Sequence, residues 1–395
     1  MRRGWCGLLT AAVVLCGASS AGAAPSEPEV IASGLSSPRH LDFGSDGSLY
    51  VAEAGRGGDG PCFVGGEGPA CYGATGAVTR VSRRGGQVRI VDGLASYAND
   101  VNENGTTDDD GDSGIGPHGL VVEGGTIYLT NGGPTAPTDF EGNPLTRDDL
   151  VSLGAERAGL FGRLLAIKDR GRGHWFGRDR GPRVSSLADI YEFEAEENPD
   201  EGPVDTNATD VLLDRGRFVI SDAGGNSVLR TGRRGELSTL AVFPSRIVPN
   251  PLPFGPPEVD MQAVPTAIVE GPDGAYYMGQ LTGFPFPIGG ASVYRIDPRT
   301  GAASVFATGF TNIMDLAFDK RGTLYVLEID SNGIILDPPS GAVHSITRRG
   351  SRDVVVPPDG TLTAPGGITI GRGGELYVTN NARSPDSGEV LRIER

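Results

Sequence analysis

Six stretches decide the fold: SDGSLYVAE (45–53), EGGTIYLTN (123–131), DRGRFVISD (214–222), PDGAYYMGQ (272–280), KRGTLYVLE (320–328) and RGGELYVTN (372–380) align without gaps. The third position is always glycine: Gly47, Gly125, Gly216, Gly274, Gly322 and Gly374. A glycine there supplies the positive φ of a tight hairpin turn, and the apolar, aromatic-rich run behind it reads as a strand. Another short apolar strand precedes each turn, in the segments HLDF, GLVV, DVLL, AIVE, DLAF and GITI, and a third and often a fourth follow. The turn-to-turn spacings are 78, 91, 58, 48 and 52 residues. The last three approach the roughly 40 to 50 residues of a propeller blade, and the first two carry insertions.

The expected fold is therefore all-β: a six-bladed β-propeller of four-stranded blades near 36–95, 116–195, 207–244, 264–308, 311–357 and 364–395. The last blade ends on a third-type strand, Glu389 to Ile393. The N-terminal stretch 28–35 resembles the fourth-strand stretch 87–94 and is expected to complete that blade, which removes an open sheet edge. Composition agrees. With Gly 62 and Pro 29 in 395 residues, a helical bundle is excluded, and the absence of a three-residue period excludes collagen.

The net charge of −16 makes nucleic acid and anionic membrane surfaces poor partners and favours cations or basic proteins. Arg2 and Arg3, the apolar run Leu8 to Leu15 and the small residues ending at Ala23 form a secretory signal peptide, residues 1–23. Its removal takes two arginines and no acid, so the mature charge is −18. Residues 24–395 are expected to be one exported domain, periplasmic or extracellular, monomeric and without a membrane span, because no other apolar run reaches about 20 residues. The mature chain keeps Cys62 and Cys71, which an oxidising compartment would join in a disulfide.

Several stretches resemble a known family, the exported ScyD/ScyE-type proteins named from scytonemin gene clusters. They are Gly60-Pro61-Cys62, Gly76 to Val81, Gly116-Pro117-His118-Gly119, Ser221 to Asn226, Leu281 to Pro287, and Asn380-Asn381 with Gly388 to Leu391. More distantly, Asp222 to Asn226 resembles the NHL repeat, and the whole is similar to SMP-30-like six-bladed propellers. The resemblance implies fold and export and hands over no reaction.

Candidate sites fall into four groups. The residues closing the repeat strands, Glu53, Asn131, Asp222, Gln280, Glu328 and Asn380, either converge on the axis as an oxygen-rich ligand or cation ring or cap neighbouring loops. Asp100, Asn102 and Asn104, then Gly105, with Asp108 beyond, match the first half of a calcium loop; the glutamate expected at its twelfth position is missing. His118, with Arg39 and His40 at the equivalent place in the first blade, supplies a base and a cation near the channel mouth, or else hydrogen bonds that close the inner strands. Trp175 stands in a basic insertion, to grip an anionic or planar ligand or a partner, or to pack on its blade.

No nucleophile elbow, His-Glu-x-x-His or Walker loop accompanies these residues. The reading that results is a binding or accessory module, calcium-stabilised, for a small molecule or an extracytoplasmic protein. A calcium-dependent lactonase- or esterase-type hydrolase with its site at the channel mouth is the alternative. A quinoprotein sugar dehydrogenase is third: Ser33-Gly34-Leu35 to Glu53 resembles that family's opening, but its His-Asn-Gly-Gly segment is absent.

Overall fold

The computed structural model describes residues 27–395 apart from 66–67, 100–113, 135, 169–180 and 335–338. The expected signal peptide, the calcium-loop candidates Asp100, Asn102, Asn104 and Asp108, and Trp175 lie outside the described residues.

The chain builds antiparallel sheets in sequence order. The first contains Pro38–Phe43, Leu49–Glu53, Gly68–Val81 and Gln87–Asn99, with the short strand Cys62–Gly65 added to the same long strand. The second runs through Pro117–Glu123, Thr126–Asn131, Arg163–Lys168 and Arg183–Asp189, and the third through Ala208–Asp214, Arg217–Asp222, Ser227–Thr231 and Leu237–Val242. The fourth holds Pro265–Glu270, Tyr276–Gln280, Ala291–Ile296 and Ala303–Phe310, and the fifth Ile313–Phe318, Leu324–Glu328, Ala342–Ile346 and Arg352–Val356. In the sixth, Gly367–Ile370, Leu376–Asn380 and Gly388–Ile393 are joined by Glu29–Leu35, which pairs antiparallel with Gly388–Ile393. Four-stranded antiparallel sheets following one another in this way are the architecture of a β-propeller.

The repeat works as a turn device. All six glycines have φ between 72° and 102°, and the amides of Gly47, Gly274, Gly322 and Gly374 bond back to the carbonyl three residues earlier at 2.8–3.1 Å. The recurring tyrosine works between sheets. Phe43 meets Tyr377 edge-on at 5.0 Å, Tyr128 meets Phe218 at 4.7 Å, and Tyr277 meets Phe318 at 5.0 Å, each pair spanning two sheets. Between sheets the core is aliphatic, as where Ala52, Val78 and Leu94 of the first face Leu120, Leu129 and Leu165 of the second.

The first strand of each sheet touches the first strand of the next, and that of the sixth touches that of the first. These inner strands approach closely. A Cβ on Gly119 would lie 2.4 Å from the Asp210 Cα, and one on Gly367 would lie 2.9 Å from the His40 Cα.

Insertions decorate this frame. Cys62 and Cys71 form a disulfide between directly paired strands. The proline-rich insertion after Val242 forms a hairpin of Arg246–Pro249 against Glu258–Met261. An acidic helix spans Ile190–Glu197, beginning where Arg183–Asp189 ends its pairing with Arg163–Lys168 and Asp189 caps the Glu192 amide at 3.1 Å. No helix among the described residues is long and apolar enough to cross a membrane.

Two glycine replacements separate turn strain from close approach. Gly216→Ala, at φ 78° with open space around the added carbon, should lose about 1–2 kcal/mol of unfolding free energy in urea titration. Gly119→Ala should lose more, about 3 kcal/mol, because backbone must move to admit the methyl group.

Candidate functional site

The inner strands read as apolar but carry charge on alternate sheets. At equivalent register stand His40, Gly119, Asp210, Ala267, Asp315 and Gly367, so a large polar residue and a small one alternate around the centre. His40 Nδ1 lies 3.5 Å from Asp210 Oδ1 and 3.4 Å from Asp315 Oδ2. Both carboxylates are buried, and the imidazole is nearly so.

Each acid bridges to the next sheet. Asp210 accepts the amides of its own neighbour Val211 and of Ile268 in the fourth sheet, both at 2.7 Å. Asp315 does the same with Leu316 and Ile368, also at 2.7 Å. Asp42, two residues beyond His40, accepts Phe43 at 2.7 Å and Val122 of the second sheet at 2.8 Å. Thr266 donates to the Ile313 carbonyl at 2.6 Å, and Thr379 to the Arg39 carbonyl at 2.8 Å. Every junction between neighbouring sheets thereby holds a polar staple at an inner strand, the one between second and third being His118 with Thr209 and the one between sixth and first coming from Thr379 on the sixth sheet's second strand.

These contacts fix the charges. Burial pushes the Asp210 and Asp315 carboxyls up, Asp315 to about 7, while the imidazole works against that rise. For His40 burial opposes charging, but Asp210, Asp315 and Asp42 together outweigh it and raise its pKa. The trio is therefore an imidazole that takes up a proton more readily than usual, held between acids that also keep one more readily than usual. Its spacing also suits a divalent cation, because one nitrogen and two carboxylate oxygens lie within 4.8 Å of one another. An imidazole in the set favours a borderline metal over calcium, which prefers oxygen alone.

His118 behaves differently. Its Nδ1 lies 2.6 Å from the Thr209 carbonyl oxygen, which can only accept, so Nδ1 carries the proton. Burial first, and the Arg39 charge second, lower its pKa to about 3. Arg39 is buried, donates to the Gly114 carbonyl at 2.8 Å, and leaves Nε unpartnered.

The residues closing the repeat strands are engaged beside their own sheets. Glu53 accepts the Ser36 amide at 2.9 Å, and Asp222, Glu328 and Asn380 accept those of Asn207, Thr311 and Thr363 at 2.8 Å. In each case the donor lies in the loop leading into that sheet's inner strand. Glu53 also pairs with Arg89, and Glu328 lies 3.2 Å from His344 Nε2. Asn131 donates to the carbonyls of Ala95 and Leu160 at 3.4 and 3.3 Å, and Gln280 is buried with Oε1 unpartnered.

The sequence reading singled out His40, Arg39 and His118 but passed over Asp42, Asp210 and Asp315. Their signal was present, since an aspartate inside an otherwise apolar strand needs a buried partner.

No protein-family model and no curated protein matches the sequence. Solved structures do. A glucose dehydrogenase aligns over 94% of this chain and 100% of its own at TM-score 0.51 and 13% identity. A putative gluconolactonase covers 93% and 92% at 0.48 and 12%, and a catalytically inactive virginiamycin B lyase from Staphylococcus aureus with quinupristin covers 93% and 98% at 0.46 and 12%. The likeness is one of fold, that of a β-propeller.

The opposite shifts predict opposite pH dependences. Because the folded His118 keeps its lone pair down to about pH 3, the unfolded chain binds more protons between about pH 6.5 and 3, and stability falls as pH falls through that window. Replacing His118 by Gln should flatten that limb by up to about 1.4 kcal/mol per pH unit, read from urea unfolding at successive pH values. The raised Asp210, Asp315 and His40 act the other way, favouring the fold at lower pH and losing that contribution as pH rises toward 7 and beyond.

Proposed function

We propose that the protein is an exported, six-bladed propeller of the ScyD/ScyE type that acts as a binding or accessory module for an extracytoplasmic protein. In this reading residues 1–23 are removed, the remainder is a monomer, and Glu29–Leu35 closes the last blade. The Cys62–Cys71 disulfide is compatible with such a compartment.

The observation that carries the proposal is a pair of linked loops with exposed apolar side chains. On the 246–261 hairpin Ile247, Leu252 and Phe254 are 66%, 41% and 69% exposed, and on the stretch 281–290 Phe284 and Ile288 are 37% and 68% exposed. Arg246 ties the two together by donating to the Gly290 carbonyl at 3.0 Å. Clustered apolar exposure on an otherwise acidic exported protein marks an interaction surface, and the net charge favours a partner with a basic rim. The channel groups support the same reading. Asp42, Asp210 and Asp315 already serve backbone amides of adjoining strands, and an imidazole with a pKa near 3 is a weak general base at neutral pH.

One specific observation favours the hydrolase reading, namely the His40, Asp210 and Asp315 set. If a divalent metal bound there it would polarise a carbonyl oxygen or a water, with these three side chains as ligands.

One comparison separates the two readings. A variant carrying Ile247→Ser, Phe254→Ser and Ile288→Ser should keep the wild-type melting curve and lose capture of the partner that wild-type protein retains from extracts of its native host. Turnover of lactones or esters by wild-type protein, abolished by His40→Gln at unchanged melting temperature, would overturn the binding reading in favour of the hydrolase.

A further inference from the structure

Away from the channel, Glu194 presents an unexplained problem. It lies on the helix Ile190–Glu197, is fully buried, and neither of its carboxylate oxygens has a hydrogen-bond partner. Its surroundings are acidic. Asp222, Asp200 and Asp205 act on it electrostatically, and burial together with these charges pushes its pKa up to about 8. Asp222 is raised as well, to about 6, chiefly by burial. Buried carboxylates are ordinarily hydrogen-bonded or paired, and leaving both oxygens of one bare among three more acids is a costly arrangement.

The backbone is shaped to hold these oxygens. Gly224 and Gly225 follow Asp222 directly. A Cβ on Gly225 would come 2.9 Å from Glu194 Oε2 and 3.3 Å from Asp222 Oδ2, and one on Gly224 would come 2.7 Å from Asp205 Oδ1. Glu194 from the helix and Asp222 from the strand end thus both approach Gly225, with Asp205 from the loop against the adjacent Gly224. Asp222 is itself fixed by the Thr206 hydroxyl at 2.6 Å and the Asn207 amide at 2.8 Å.

We propose that Glu194, Asp205 and Asp222, on the Gly224-Gly225 turn, form a calcium site that fastens the acidic helix and its following loop to the third sheet. Oxygen-only donors, several of them anionic, with glycines that admit close approach, are what a hard cation of this size requires. The site is independent of the channel trio, which contains an imidazole, and of the proposed docking surface. It is also distinct from the acidic loop around Asp100 to Asp108. Calcium here displaces the proton of the buried Glu194 and balances Asp222 and the half-buried Asp205, so its binding and the folding of this corner are linked.

The test uses full-length mature protein, stripped with EDTA and desalted, with calcium chloride as the only ligand. Wild type should bind calcium by isothermal titration and melt higher as calcium is added. Glu194→Gln should weaken that calcium binding at least tenfold and melt no lower than wild type in EDTA. Asp205→Asn supplies the same readout if Glu194→Gln fails to fold. A variant with Asp100, Asn102, Asn104 and Asp108 all replaced by Ser should keep the response. A wild-type protein whose melting and heat signals ignore calcium overturns the proposal. So does a calcium response that persists in Glu194→Gln and Asp205→Asn, or one lost in the acidic-loop variant.

Discussion

The structure depends on bringing the first strand of every sheet to the same crowded centre without leaving its backbone polar groups unsatisfied. Neighbouring sheets in such an arrangement are not laddered to each other by main-chain bonds, so inner-strand amides need side-chain partners. The sequence meets this with acids. Asp42, Asp210 and Asp315 each take one amide from their own strand and one from the next sheet. Gly119, Ala267 and Gly367 stand between the larger residues at the same level, and the contacts a Cβ would make at the two glycines show why nothing bulkier fits.

That solution creates the electrostatics of the channel. Buried acids need compensation, and His40 provides it by sitting 3.4 to 3.5 Å from two of them. The same grouping would hold a metal, so a structural device and a reactive centre look alike at this position. His118 stands apart because its staple is to a carbonyl, and burial, with Arg39 beside it, keeps it neutral. With the centre engaged in closing the fold, variable chemistry is left to the insertions. One carries the disulfide, another the exposed Ile247, Leu252 and Phe254, and a third the buried Glu194.

Much of the fold was legible because glycine and tyrosine have strong local meaning. The six turn glycines forecast six positive-φ hairpins, and the pairing of Glu29–Leu35 with Gly388–Ile393 was readable from the likeness of 28–35 to a fourth strand. The repeated tyrosines announced strands but hid their job, since Phe43 and Tyr377 meet across sheets far apart in sequence. The centre was less legible for the same reason. Asp210 and Asp315 are 105 residues apart. Nothing local says that both face His40. Polar strand ends such as Glu53 and Glu328 admitted two readings, a shared ring or loop caps, and only the direction of their hydrogen bonds distinguishes these. Glu194 gave no local signal, being one acid in an acidic helix.

The most direct test of this account is native-state hydrogen exchange resolved to single amides. If the acid staples hold the inner strands together, Val122, Ile268 and Ile368 should exchange only by global unfolding, as slowly as the best-protected amides at the centres of the sheets. Fast, locally governed exchange at these three amides, with the sheet centres still protected, would contradict the central claim.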